Sequence, residues 1–517
     1  MTRAIILLAL VFSGAIQALA SPPVNLWWIH WFALVPGLWA LTRLSGRRAV
    51  LGGWVMGFSA NVVIFYWVIH TVESFSNLPR PLAVGVLALF GLAYGAYMAV
   101  FAWGFERIRR SAGAWWPVAG AAWFVACEFA NPQLFPYYQG VSFYQVPRFF
   151  LATTVGGVPL ISFQLLLWNM LLLALLERRL AGRPLVDGSM RKMAGLSGGL
   201  LAASMMISHV RLGAIEEAEA TADTVRIALI QTNQTVAKRR AMSKQSPTAT
   251  LDDSLELSWK ALKASPDIDV FVWPEGALRG GPQRRANRRL RKFVEETGKE
   301  VWTGGSEYER KEDGGYTAYN RAFRVHGEGE FPKPYAKTIL LPFGEFMPLK
   351  DVLPFLKKIK GVGNFTAGEG ITPIETPHGD FCFLICYEAI RHEYVRKGVR
   401  QGVELLVNIT YDAWFGDTSC PSQHLMLSAI QAAEYGIPLV RSATTGISAY
   451  VDTRGMITAQ TGVFTRDALI VDVKKVRLPT LYGRLGDWVA WLCILGSLGL
   501  IGVDVRRRGL RHGGEAS

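Results

Sequence analysis

Residues 380–390 read DFCFLICYEAI, an apolar run that stops abruptly on polar and acidic residues. The six residues from Phe381 to Cys386 predict a strand that is buried on both faces, as in the interior of a layered α/β domain. A buried strand does not explain why Cys386 is followed at once by Tyr387 and Glu388. The stretch therefore raises the question of whether this cysteine packs or reacts.

The segments around this stretch predict the rest of the domain. From Val225 onward, short β-type runs alternate with helical stretches at about 252–264, 285–297, 389–400 and 422–435. Such alternation predicts an α/β layered domain with a mixed sheet and helices on its faces. The β-type runs are VRIALIQTN, DVFVWPEGA, EVWTGGSEY, YNRAFRVH, FCFLICYEA, VELLVNITY, PLVRSATTG and SAYVDTRG.

The remainder of the chain is apolar enough for a membrane. Half of all residues are hydrophobic, only 19% are charged and the mean hydropathy is +0.21. Segments near the length of a bilayer core predict about eight spans. We therefore expect a transmembrane domain of about seven helices at 1–210, the α/β domain at 211–483, and a helix with a basic tail at 484–517. The predicted spans lie at about 3–20, 24–42, 49–71, 82–104, 114–130, 157–176, 193–209 and 486–504.

Loop charges predict the orientation of these spans. The basic loops alternate with loops such as HTVESFSNLP, which carry almost no lysine or arginine, so the positive-inside rule places both termini in the cytoplasm and residues 211–483 outside it. The sequence AIQALAS resembles a signal-peptidase site, but Arg3 and the short loop SPPVN favour an uncleaved hairpin of two spans. The basic residues are Arg43, Arg47, Arg48, Arg107, Arg109, Arg110, Arg178, Arg179, Arg183, Arg191, Lys192, Arg506, Arg507 and Arg508.

The net charge of +14 is largely accounted for by these loops, so we expect no nucleic-acid partner. The spacing of the five cysteines predicts neither a metal site nor a disulfide framework, and no cofactor is expected. The cysteines are Cys127, Cys382, Cys386, Cys420 and Cys493.

Unusual polar residues follow three of the outer-domain strands. Glu275 ends VFVWPEGAL, Lys337 and Glu345 lie in PYAKTILLPFGEFMP, and Cys386 ends FLICYEA. A cysteine nucleophile needs a base to remove its proton and positive charge to stabilise the oxyanion that follows attack on a carbonyl. Each residue taken alone also has a non-catalytic interpretation. A cysteine in an apolar strand can simply pack in the core, as we expect for Cys382. Glu275 could cap a turn, and Lys337 could be a solvated lysine.

The motifs WPEGA, YAKTILLPFGEFMP, ICYE and NITYDAWFGDTSCPSQH resemble the Glu-Lys-Cys signature of the nitrilase superfamily. With spans before the domain and one after it, the layout is similar to that of the bacterial apolipoprotein N-acyltransferase family. The resemblance implies an αββα sandwich outside the inner membrane. One departure stands beside Trp414: the family often has Ser-Asn where this chain has Thr410-Tyr411.

The resemblance also implies roles and substrates. Glu275 matches the family's base, Lys337 its catalytic lysine and Cys386 its nucleophile, and Glu345, Tyr387 and Glu388 fall on positions that are functionally important in the family. The implied reaction transfers an acyl chain from a phospholipid to a diacylated apolipoprotein through a thioester, by a monomeric protein in contact with membrane lipid. The alternatives are a membrane-tethered amidase and a catalytically inactive lipid-binding protein.

Two further segments carry open interpretations. Trp414 and Phe415 wall an acyl pocket or belong to the core. The segment FGEFMPLKDVLPFLKKIKGVGNF, 343–365, with Phe346 and Met347, is an amphipathic arm on the bilayer surface or a packed loop. The run RRANRRLRK, 284–292, attracts anionic headgroups or is a solvated helix face.

Overall fold

The computed structural model describes residues 2–76, 78–245, 248–310, 312, 314–327, 333–348, 350, 352 and 363–514. The chain divides into two compact units. The first comprises 1–69, 81–212 and 484–517, and the second comprises 70–80 and 213–483.

The secondary structure follows the chain in this order. The α-helices are Arg3–Ala15 (α1), Val35–Leu41 (α2), Gly46–Ile64 (α3), Val68–Ser76 (α4), Arg80–Ser111 (α5), Trp116–Ala130 (α6), Pro147–Phe150 (α7), Thr153–Leu180 (α8), Gly188–Thr221 (α9), Val236–Gln245 (α10), Ala249–Ala264 (α11), Arg288–Thr297 (α12), His392–Val399 (α13), Cys420–Tyr435 (α14), Leu481–Leu485 (α15) and Trp488–Gly514 (α16). The β-strands are Thr224–Gln231 (β1), Val270–Val272 (β2), Leu278–Arg279 (β3), Glu300–Arg310 (β4), Tyr316–Val325 (β5), Tyr335–Ala336 (β6), Phe381–Ile385 (β7), Leu405–Thr410 (β8), Leu439–Ala443 (β9), Ala449–Val451 (β10), Ile457–Gln460 (β11) and Asp467–Lys474 (β12).

Among the described residues, five helices are long and apolar enough to cross a membrane, and a sixth span is possible if the bent pair α3 and α4 counts as one. The five are Arg3–Ala20, Arg80–Ser111, Thr153–Leu180, Gly188–Thr221 and Trp488–Arg507, and the pair bends by 62°. These segments match six of the eight predicted spans in position.

The other two predicted spans differ from the structure. Segment 24–42 is broken into the 3-10 helix Trp27–Trp31 and the seven-residue α2, which has a proline in its first turn. Segment 114–130 yields only the 15-residue α6, because a 3-10 turn precedes it and Pro132 follows it closely. Fifteen residues span about 22 Å, which is shorter than a bilayer core of ~30 Å.

Small residues set the packing within the first unit. At the crossing of α3 and α5, a Cβ on Gly57 would lie only 2.4 Å from the carbonyl oxygen of Gly95. This approach is the kind that glycine and alanine permit between membrane helices. Around the crossing lies a core that includes Met56, Phe101 and Phe124, all fully buried.

The second unit is a sandwich of two sheets. One has seven strands in the order β12-β1-β2-β4-β5-β6, with β3 beside β4, and the other has five in the order β11-β10-β9-β8-β7. Buried apolar side chains from both sheets form the core between them, where Trp302 stacks on Phe381 with centroids 3.9 Å apart. Separate cores lie under α11 and α12 on one outer face, and under α13 and α14 on the other. The predicted αββα sandwich is confirmed.

The strand directions bring the candidate residues to one edge of each sheet. β1, β2 and β4 are parallel in one sheet, and β7, β8 and β9 are parallel in the other. Parallel strands have their carboxyl ends at the same edge, where catalytic groups of α/β folds commonly lie. Glu275 follows β2, Cys386 follows β7 and Asp412 follows β8.

Candidate active site

Cys386 lies at the sharp turn that ends β7. Its backbone has a positive φ of 52°, which is uncommon for a residue with a side chain and is concentrated at functional sites. The 3-10 helix Cys386–Ile390 begins directly at this turn. Burial, together with the charge of Glu275, raises the pKa of Cys386 to about 12, although Lys337 opposes the rise. The resting thiol therefore keeps its proton and needs a base.

Glu275 lies close enough to Cys386 for its charge to act on the thiol. Its two carboxylate oxygens accept hydrogen bonds from different elements: Asn320 Nδ2 at 2.6 Å and the backbone N–H of Tyr411 at 2.9 Å. Burial raises the pKa of Glu275, while Lys337 and these two bonds act in the opposite direction. A carboxylate with a raised pKa and fixed geometry is suited to accept and return a proton near neutral pH.

Lys337 is a buried cation held between carboxylates. Its Nζ lies 2.7 Å from Glu345 Oε2, and the two side chains are 1% and 14% exposed. Burial alone would lower the pKa of Lys337, but the charges of Glu345 and Glu275 raise it above its usual range. Lys337 is therefore charged at all physiological pH values, and Glu345 lies inside the site rather than on a surface loop.

Asn320, in the middle of β5, links the two carboxylates. Besides its bond to Glu275, its Nδ2 donates to Glu345 Oε1 at 3.2 Å. Its backbone carbonyl accepts from the N–H of Lys337 at 2.8 Å. Sequence reasoning missed this residue, because an asparagine within an ordinary strand pattern carries no local signal.

Glu388 connects the turn of Cys386 to the segment that carries Lys337. Its Oε2 accepts from the N–H of Ile385 at 2.8 Å, and its Oε1 accepts from the N–H groups of Thr338 and Ile339 at 2.7 and 3.0 Å. The hydroxyl of Tyr335 also donates to Oε1 at 2.7 Å. Burial raises the pKa of Glu388 to about 7. The carboxylate thus connects the turn of Cys386 to the segment that carries Lys337.

Tyr387 is buried beside Glu388. The guanidinium of Arg391 lies 5.7 Å from the centroid of its ring and donates to its hydroxyl at 3.4 Å. The structure thus places Tyr387 next to Cys386, in contact with the residue that precedes α13.

A buried charged cluster lies behind Cys386. Arg441, on β9, is fully buried; it donates to Asp412 Oδ2 at 2.6 Å and to Asn408 Oδ1 at 2.5 Å. Asn408 in turn donates to the carbonyl of Leu384 at 2.7 Å, two residues before Cys386. Burial alone would raise the pKa of Asp412, but Arg441 and His424 hold it below its usual range. The cluster ties the ends of β7, β8 and β9 together.

The two predicted pocket aromatics, Trp414 and Phe415, lie in the 3-10 helix Asp412–Phe415 but have different surroundings. Phe415 is 5% exposed and packs edge-on against His424 at 6.1 Å, so it belongs to the core. Trp414 is only partly buried and stacks on Phe75 of α4, with centroids 4.1 Å apart and planes 18° apart. Tyr411 meets Trp414 edge-on at 5.7 Å. Trp414 is therefore the aromatic that faces a surface near the site.

Only part of the predicted arm falls on described residues. Phe346 is partly buried and forms an isolated bridge with Pro342, and Met347 is buried. Residues 349, 351 and 353–362 lie outside the described residues.

The basic run 284–292 includes two arginine or lysine side chains with acidic partners. The side chains of Arg289 and Lys292 are about two-thirds exposed and pair with Asp252 and Glu296, respectively.

A two-sheet sandwich with outer helices, and with a glutamate, a lysine and a cysteine at the strand ends, defines the carbon–nitrogen hydrolase class. The carbon–nitrogen hydrolase family matches residues 226–479. The apolipoprotein N-acyltransferase N-terminal domain matches residues 13–171.

Relatives match over nearly the whole chain. An apolipoprotein N-acyltransferase of Geobacter metallireducens is 31% identical over 97% of this chain and 96% of its own length. That of Photobacterium profundum is 29% identical over 97% and 95%. Among solved structures, Saccharomyces cerevisiae Nit3, a nitrilase superfamily member, aligns with 48% of this chain and 90% of its own at 18% identity and a TM-score of 0.38. The chain belongs to the apolipoprotein N-acyltransferase family.

Proposed function

We propose that this protein transfers a fatty acyl chain from a phospholipid to the α-amino group of a diacylglyceryl-cysteine at the N-terminus of an apolipoprotein. The observation that carries the proposal is the buried arrangement of Glu275, Lys337 and Cys386 in a chain whose relatives of that activity match it from end to end.

The first half-reaction forms an acyl-enzyme. Glu275 takes the proton of Cys386 as the sulfur attacks the ester carbonyl of the phospholipid. Lys337 and a backbone N–H of the nucleophile's turn stabilise the oxyanion of the tetrahedral intermediate. The carbon–oxygen bond then breaks, Glu275 returns the proton to the leaving oxygen, and lysophospholipid departs.

The second half-reaction consumes the thioester. The α-amine of the lipoprotein's cysteine attacks the acyl carbonyl, and Glu275 accepts the proton that the amine loses. The carbon–sulfur bond breaks, the thiol of Cys386 regains a proton from Glu275, and an amide forms. Because an amide is more stable than a thioester, this step is downhill.

Membrane topology follows from the loop charges in this proposal. Unit 1 crosses the inner membrane, the catalytic domain at 211–483 lies on the periplasmic side, and both termini are cytoplasmic. The protein acts as a monomer without a nucleic-acid partner. A reporter inserted at Gly314 would test the orientation, and activity of a cytoplasmic reporter there would contradict it.

The experiment for the activity uses the purified full chain with phosphatidylethanolamine and a diacylated lipopeptide. We expect the peptide mass to rise by one fatty acyl group, and the new bond to resist hydroxylamine because it is an amide. Cys386→Ala serves as the inactive control. Release of free fatty acid without any change in peptide mass would instead identify a hydrolase.

A further inference from the structure

Arg239, on α10, lies beside the proposed base without belonging to the triad. Its Nη2 donates to the carbonyl of Gly276 at 3.0 Å, and its guanidinium lies 4.6 Å from the centroid of the Tyr411 ring. Gly276 directly follows Glu275, and the N–H of Tyr411 is a donor to Glu275. The guanidinium therefore contacts both elements that hold the base.

The backbone provides a seat for this side chain. Gly276 has a φ of +69°, and a Cβ at that position would lie 2.6 Å from Arg239 Nη2. A side chain at position 276 would therefore be strained and would displace the guanidinium. Glycine is what permits the cation to approach the turn of the base.

Arg239 makes no ion pair with the described part of the chain. Among the side chains that the structure describes, none gives Arg239 a carboxylate partner, whereas the adjacent Lys238 has Asp253 at 3.7 Å. A guanidinium presents five N–H donors in a fixed plane, and the hydrogen bond to Gly276 uses only Nη2. Half-buried and stacked on an aromatic ring, the group is ordered for bidentate binding of an oxyanion.

We propose that Arg239 binds the phosphodiester of the donor phospholipid, an inference that rests on the proposed function. In a glycerophospholipid the phosphate is only a few bonds from the ester carbonyls. A phosphate held beside Glu275 would therefore keep the scissile ester near the base and the nucleophile. The acceptor, a diacylglyceryl-cysteine, carries no phosphate, so Arg239 would act in the first half-reaction and not in the second.

The test compares two acyl donors with the full-length protein. Arg239→Met keeps only the aliphatic part of the side chain and removes its guanidinium, and Lys238→Met on the same helix is the matched control. Acylation of Cys386 is followed with phosphatidylethanolamine and with a nitrophenyl fatty ester, which has no phosphate. We expect the ratio of the two rates to fall about ten- to a hundredfold in Arg239→Met, because charge-assisted hydrogen bonds are lost, and to stay constant in Lys238→Met.

Further arms separate this proposal from its alternatives. An equal loss of acylation rate with both donors would leave the ratio unchanged and overturn the proposal, since Arg239 would then act only by holding the turn of Glu275. Wild-type rates with both donors would overturn it as well. Acyl-enzyme formed beforehand should discharge to lipopeptide at the same rate in Arg239→Met and wild type.

Two controls concern the ligand and the activity. Inhibition by inorganic phosphate as strong as that by lysophospholipid would overturn the assignment to a lipid. Wild-type protein that accepts acyl groups from the nitrophenyl ester but never from phospholipid would refute the proposed function itself.

Discussion

Replacing Asn320 by alanine should change the pH dependence of acyl-enzyme formation. Asn320 Nδ2 donates a hydrogen bond to Glu275 at 2.6 Å, and Asn320 is buried. This bond lowers the pKa of Glu275 against the effect of burial. The substitution leaves the backbone bond between Asn320 and Lys337 in place, so the loss is confined to the side chain.

The magnitude follows from the kind of bond that is lost. A hydrogen bond to a charged group contributes about 1.5–3 kcal/mol, and each ~1.4 kcal/mol is a factor of ten in an equilibrium. With the bond gone, Glu275 holds its proton more tightly and a smaller fraction is ionised. On the acid side of the profile, where the rate follows the ionised fraction, we expect acylation to slow roughly tenfold to a hundredfold. At high pH the rates should converge.

Single-turnover acylation of Cys386 by a nitrophenyl fatty ester, measured over a range of pH, tests this expectation. Asn364→Ala is the matched control, because Asn364 is exposed and its side chain accepts a hydrogen bond from Lys350 at 2.8 Å, with no contact to Glu275 among the described residues. A uniform loss of rate at every pH would refute the reasoning, since it would mean that Asn320 does not set the protonation of Glu275.

Three other sets of substitutions test neighbouring parts of the site. Cys382→Ala should keep most acyl transfer and cost on the order of 1 kcal/mol of unfolding free energy, because Cys382 is fully buried in β7, whereas Cys386→Ser should abolish transfer; the reverse result in lipopeptide acylation would move the nucleophile. Glu388→Gln places an amide N–H₂ against N–H donors, so we expect it to lower the free energy of unfolding in urea by about 1–3 kcal/mol and to slow acylation. Glu393→Gln, at an exposed position, should change neither quantity. Arg441→Met leaves Asp412 buried without its guanidinium partner, so we expect a loss of about 3–5 kcal/mol of unfolding free energy. Asp412→Asn should restore part of this loss in the double variant. A double variant no more stable than Arg441→Met alone would show that the pair is not what stabilises the cluster.

Local pattern was sufficient for the strands that carry the triad. The apolar run ending at Cys386 is β7, and the strand before Glu275 is β2. Both could be predicted because a short continuous apolar run is the pattern of a strand that is buried on both faces. β12 escaped the prediction although DALIVDVK alternates in the manner of a half-buried strand. Its pairing with β1, far away in sequence, gives it a place in the sheet.

The partners of the triad depend on contacts between distant segments. Asn320 and Glu275 are 45 residues apart, and nothing in either segment specifies the other. Arg441 did carry a signal, because an arginine within the apolar run PLVRSATTG must find a buried partner. The predicted spans 24–42 and 114–130 contain helices shorter than a bilayer core, and the cause is local: Pro36 and Pro132 limit helices that hydropathy alone would extend.

The central claim is that Cys386 carries the acyl chain between two lipids, and the intact mass of the protein tests it most directly. With phospholipid and no acceptor, we expect the mass to rise by one fatty acyl group, hydroxylamine to remove that group, and diacylated lipopeptide to discharge it with ping-pong kinetics. The Cys386→Ala variant should gain no mass. Steady release of free fatty acid with no adduct on a protein that still requires Cys386 would contradict the claim and identify water as the acceptor.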